Sequence, residues 1–190
     1  RVDNVNTKYP ANSPNGTHNG IFIVTGNGSV HHNIVTNHQG NLTRFWGLSI
    51  GKKRIGIIHN NFVYNSWKYG AIEIQVSPEL KTLIDRFSNK YSFVDFEVYN
   101  NTAGQLNNSK DWEGQMLDLY NTYGTLKYYN NIGFSMNRNQ GKITDMINNM
   151  SDVKIIRNEN NLYFDTWQKA VGNLTTFKSL HPGIGADQTS

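Results

Sequence analysis

The chain has 190 residues, enough for one domain with a sizeable core. Apolar residues make up only 37%, and 18 basic against 14 acidic residues leave a net charge of +4. With 28 of the 190 residues Asn, the polarity is amide rather than charge, which suits a solvated repeat surface better than a disordered chain. No cysteine is present, so disulfides play no part. No apolar run reaches the roughly 18 residues of a membrane span. Apart from Lys52-Lys53-Arg54 the basic residues are scattered, whereas a nucleic-acid surface would be a denser patch interleaved with aromatics.

In chain order, 1–19 is turn-rich (Tyr9-Pro10, Ser13-Pro14-Asn15-Gly16) and reads as irregular. Strands follow over 20–24 and 30–35, broken by Gly26-Asn27-Gly28. A second pair covers 46–50 and 55–64 across Gly51-Lys52-Lys53. The third opens with the clean alternation of 71–76 and then departs into an insertion. There Leu80, Leu83, Ile84 and Phe87 fall at i, i+3, i+4 and i+7, predicting a short helix started by Pro78. A second excursion, 104–114, carries Trp112. The fourth pair spans 116–120 and 125–134, and the fifth 143–147 and 153–164. Beyond 165 the pattern fades into a tail or the start of further rungs.

These pairs are copies of one unit. The strings SVHHNIVTN, RIGIIHNNFVYNS, VDFEVYNNTAG, TLKYYNNIGF and VKIIRNENNLYF each run an apolar strand into an amide corner and out again. Marking the second corner residue gives Asn33, Asn61, Asn101, Asn131 and Glu159, separated by 28, 40, 30 and 28 residues. A unit of this length cannot bury its own apolar face, but stacked copies bury all of them. Asn suits the corner because it both donates and accepts, and it tolerates left-handed backbone angles. Val30, Ile58, Val98, Tyr128 and Ile156 hold equivalent places and are expected to stack inward.

On these five corners the chain resembles the right-handed parallel β-helix proteins of the pectate-lyase-like superfamily, over residues 19–164. The resemblance implies an all-β solenoid of about five rungs with the short helical insertion. Its expected organisation is an irregular segment at 1–19, the parallel β-helix at 20–164 and a C-terminal remainder at 165–190. It also implies an extracellular or cell-surface setting and a polysaccharide partner, cleaved by a lyase or hydrolase. None of the well-known pectate-lyase or polygalacturonase catalytic strings occurs. Non-catalytic glycan binding, adhesion or a structural role in a larger surface protein is the alternative. A chain that opens on Arg1 is expected to belong to a longer polypeptide or assembly.

Two outward columns are candidates for chemistry. Glu73, Asp118 and Asp145 would place one carboxylate on each of three rungs, with Ser49 below. Rungs about 4.8 Å apart would bring neighbouring carboxylates near the roughly 5 Å of retaining glycosidases. The same column could hold Ca²⁺, a hard cation that takes oxygen ligands, or be three solvated surface acids. The second column is His31, His59, Tyr99, Tyr129 and Arg157, each just before a corner. Such groups can move a proton or neutralise a uronate, and can equally stack on one another to cover the surface. Trp46, Trp67, Tyr69 and Trp112 are the candidate sugar-stacking platforms.

Overall fold

A strand that alternates apolar and polar residues presents one face to a core and the other to water. That alternation, repeated, builds this protein. The computed structural model describes residues 2–3, 19–23, 27–38, 40–46, 54–75, 94–109, 116–134 and 147–164. Among them are fourteen strands and no helix. The strands are β1 Val2–Asp3, β2 Asn19–Ile23, β3 Gly28–His31, β4 Ile34–His38, β5 Asn41–Trp46, β6 Arg54–His59 and β7 Phe62–Ser66. They continue with β8 Ile72–Gln75, β9 Val94–Tyr99, β10 Thr102–Gly104, β11 Leu117–Tyr129, β12 Ile132–Phe134, β13 Ile147–Glu159 and β14 Leu162–Phe164. The expected helix around Leu80–Phe87 lies outside the described residues.

Every pairing among these strands is parallel. The first face is β1-β4-β7-β10-β12-β14. The remaining strands divide at the long β11 and β13. Leu117–Tyr120 of β11 pairs with β8, whereas Gly124–Tyr129 pairs with β9. A register shift between Tyr120 and Tyr123, and Gly124 at φ 123°, mark the bend between the two parts. The second face is therefore β3, β6, β9 and the ends of β11 and β13, and the third is β2, β5, β8 and their beginnings. The chain visits the three faces in fixed rotation, and each strand pairs with its counterpart one round later. This arrangement is compatible with a parallel β-helix. It also brings β1 into the stretch expected to be irregular, where Val2 pairs with Val35.

Between the faces lies the core. Val30, Ile58, Val98 and Tyr128 follow one another in register, each 4% exposed or less. Val35, Val63 and Ala103 line the first face, and Ile72, Ile74, Leu117 and Leu119 the third. The fifth round departs from expectation. Leu126 pairs with Ile155 but Lys127 with Arg157, so Ile156 is the extra residue of a β-bulge and is 50% exposed. The shift moves the corner as well: Ile132 pairs with Leu162, and the amide above Asn131 is Asn161 rather than Glu159.

At the corner between the second and first faces, His32, Asn60, Asn100, Asn130 and Asn160 have φ between 53° and 56°. The next residue forms the ladder. Asn61 donates its backbone N–H and side-chain Nδ2 to Asn101 Oδ1 at 3.2 and 2.8 Å. Asn101 repeats this to Asn131 at 3.0 and 3.1 Å, and Asn131 to Asn161 at 2.9 and 3.0 Å. Asn33 begins the series on Asn61. Each buried amide thus satisfies a backbone group that has no strand partner. A second ladder joins the exit of the first face, from Asn108 to Asn65 and from Asn65 to Asn37.

Candidate functional site

The outer side of the second face carries a row of aromatic and ionisable side chains. Alternation in β9, VDFEVY, buries Phe96 and Val98 and turns Asp95, Glu97 and Tyr99 outward. Parallel register then extends each position along the rounds. One column reads His31, His59, Tyr99, Tyr129. Its neighbour reads Ser29, Ile57, Glu97, Lys127, Arg157.

The first column is a continuous ring stack. Centroid separations are 4.9 Å for His31–His59, 4.8 Å for His59–Tyr99 and 5.0 Å for Tyr99–Tyr129, with interplanar angles of 14°, 5° and 2°. Strand spacing of about 4.8 Å sets this separation. The stack ends under Arg157, whose guanidinium carbon lies 3.7 Å from the Tyr129 centroid. Arg157 belongs to the neighbouring column by register, and Glu159, which it ion-pairs, is the residue opposite Tyr129. The bulge at Ile156 therefore corrects the expected column at its last member, yet the long Arg157 side chain still reaches the stack.

The carboxylates of β9 on this face accept hydrogen bonds from the following round. Tyr129 donates its hydroxyl to Glu97 Oε1 at 2.6 Å, and Thr125 donates to Asp95 Oδ1 at 2.7 Å. Burial, then the hydrogen bond and charge of Glu97, push the Tyr129 phenol up to about 12, against the opposing charge of Arg157. It is consequently a persistent hydrogen-bond donor rather than a base at neutral pH. Burial, then His31 and His32, hold His59 below the usual imidazole range, against the pull of Glu97. Lys127 is exposed between its strand neighbours Glu97 and Arg157. Because the rings cover one another's faces, what this column offers to solvent is edges that donate and accept hydrogen bonds.

The carboxylates expected to share a groove are placed differently. Glu73 and Asp118 are direct partners in register, on adjacent rounds of the third face. They are only 6% and 5% exposed, so they do not line an open groove. Ile72, Glu73 and Ile74 are all buried, so both sides of β8 are covered, which alternation alone does not reveal. The residue paired with Asp118 on the next round is Asn148, and Arg44 holds the position opposite Glu73 on the round before. Asp145 and Trp112 lie outside the described residues.

Trp67 is 41% exposed just after β7, where the chain leaves the first face for the third. Tyr69, two residues on, has φ 67° and is half-buried. These two sit at a different corner from the ring stack, so the expected binding residues divide into two groups. Glu97 and Lys127 were not among the expected site residues, although the alternation of VDFEVY and TLKYY carries the signal for both.

Among the described residues no cluster of three or more His, Asp or Glu side chains is arranged to hold a metal ion, and no helix is long and apolar enough to cross a membrane. Comparison with protein-family models, with curated proteins and with solved structures found no match.

Proposed function

We propose that this chain is a right-handed parallel β-helix segment of an extracellular or cell-surface protein, and that it binds a polysaccharide along the outer side of its second face. One observation carries the reading. His31, His59, Tyr99 and Tyr129 recur at 4.8 to 5.0 Å, a ladder of hydrogen-bonding edges whose repeat is comparable with that of the units of an extended glycan. Exposed amides at Asn60, Asn100 and Asn130 border it on one side, and Glu97, Lys127 and Arg157 on the other. Hydroxyl-rich ligands are read by such donors and acceptors, and a row of them gives many weak contacts at once.

The test is affinity electrophoresis against a panel of neutral and acidic polysaccharides, using the native chain and Tyr99→Ala. Retardation of the native chain by at least one member, weakened about tenfold by the substitution, supports the reading, since tenfold corresponds to about 1.4 kcal/mol. No retardation by any member contradicts it.

Cleavage is the second reading; the adjacency of Glu73 and Asp118 in register favours it, and their burial weighs against it. Two crowded carboxylates can divide the roles of acid and nucleophile. Ultraviolet absorbance of unsaturated ends and a reducing-sugar assay separate elimination from hydrolysis. Asp118→Asn should abolish turnover; no turnover by the native chain, or turnover that survives the substitution, contradicts this reading.

A further inference from the structure

Two properties of the ring ladder on the second face bear on the shape of its ligand. The first is straightness. Interplanar angles of 14°, 5° and 2° from His31 through His59 and Tyr99 to Tyr129 mean that the stack turns little along its length. An ordinary twisted sheet would rotate each strand by roughly 20–25° against the last. The second is that the rings cover one another's faces at 4.8 to 5.0 Å. The flat contact between an aromatic face and the C–H face of a sugar is therefore closed along the stack. Selection falls to hydrogen bonds from the ring edges, repeated once per round in a straight line.

A chain of sugars stays on such a line only if it is itself straight and advances by one round per unit. Pyranose rings linked through equatorial bonds at both ends meet that condition. Each unit then advances the chain by nearly the full length of its ring, about one strand spacing of 4.8 Å. Successive units turn over about the chain axis, so the chain is a flat ribbon. An axial bond at the linkage makes the chain advance less and wind, and its units leave the ladder after one or two contacts. Granting polysaccharide binding on the second face, we infer that its ligand class is the ribbon-like glycan of diequatorially 1→4-linked sugars. The ribbon is read one unit per round over the four rounds of His31, His59, Tyr99 and Tyr129.

The flanks agree with a ribbon. Because alternate units are turned over, their outer hydroxyls emerge on alternate sides of the chain. Polar groups lie on both sides here: the exposed amides of Asn60, Asn100 and Asn130 on one, and exposed Ser29 and Lys127 with half-buried Glu97 on the other. The ladder also has a closed end. The Arg157 guanidinium lies 3.7 Å from the Tyr129 centroid, and the next residue in the column is Glu159, which Arg157 ion-pairs. A fifth unit therefore meets a charged pair instead of a further ring edge.

The experiment is isothermal titration calorimetry of the native chain with oligosaccharides of two to six units. Cello-, manno- and chito-oligosaccharides supply the ribbon. Malto-oligosaccharides, which share glucose with the first series and differ in the linkage, supply the coil. At least one ribbon series should gain about tenfold in affinity between two and four units, and change less than about twofold from four to six. From four units upward the malto series should bind about tenfold more weakly than that series. Tyr99→Phe keeps the ring stack, removes one hydroxyl, and should diminish the gain between two and four units. A chain that a polysaccharide retards, but that binds no ribbon series or binds malto-oligosaccharides as tightly, overturns the ribbon assignment and leaves polysaccharide binding standing. Affinity that does not rise between two and four units, or a gain undiminished in Tyr99→Phe, overturns it in the same way. A chain retarded by no polysaccharide fails on both counts.

Discussion

Asn101 Oδ1 accepts two hydrogen bonds from Asn61, one from its backbone and one from its side chain, while Asn101 Nδ2 donates back to Ile58 O at 2.9 Å. One amide thus joins two rounds and closes the strand end between them. Both residues are 2% exposed or less, so water cannot replace what a substitution removes. Asn101→Ala should lower stability by about 1–3 kcal/mol, the cost of leaving buried polar groups unpaired. Urea denaturation at neutral pH measures it; an unchanged midpoint would mean that the ladder is incidental to stability.

A second prediction concerns Gly56. A Cβ at this position would lie 1.9 Å from Phe96 Cε1, because the Phe96 ring fills the space a side chain would take. Gly56→Ala should cost about 1–3 kcal/mol through overpacking. Phe96→Leu should recover part of that loss, so the double variant should be less destabilised than the two single changes combined. Simple additivity would show that the two positions are not in contact.

His38 should make the fold acid-sensitive. It is 2% exposed, and neither ring nitrogen has a hydrogen-bond partner among the described residues. Burial lowers its pKa from the ordinary 6.5 to about 4. Above 6.5 the ring is neutral in both folded and unfolded chains. As pH falls from 6.5 towards 4 only the unfolded chain gains the proton, so stability falls through that window by about 3 kcal/mol. His38→Leu should remove this part of the pH dependence of the melting temperature. Parallel melting curves of variant and native chain across the window would contradict the assignment.

The Tyr129 phenol provides a local probe. Because burial and then Glu97 push it up to about 12, the ultraviolet difference between native chain and Tyr129→Phe should show a phenol ionising there. Glu97→Gln removes the negative charge and should move that ionisation downward. No movement would mean that burial alone sets it.

Much of the fold was legible in the sequence because its determinants are local and repeated. Each Asn corner carries its own left-handed residue, and alternation in strings such as VDFEVY assigns inside and outside. The failures have physical causes too. RNENN offers three asparagines within four residues, and the choice among them depends on a bulge at Ile156 that periodicity cannot supply. Glu73 and Asp118 fall between the core residues of β8 and β11 in the alternation, but whether such a side chain meets water depends on what covers it, and both are buried. The ring stack was legible as a column, whereas Glu97 as the acceptor for Tyr129 required the parallel register of β9 and β11.

The most direct test of polysaccharide binding on the second face is backbone amide chemical-shift mapping of the native chain during titration with the best-retarded member of the panel. The account predicts that the perturbed amides cluster at Glu97, Tyr99, Lys127 and Tyr129 with the adjoining corners Asn100 and Asn130. Perturbations confined to Trp67 and Tyr69, or none at saturating glycan, would contradict it.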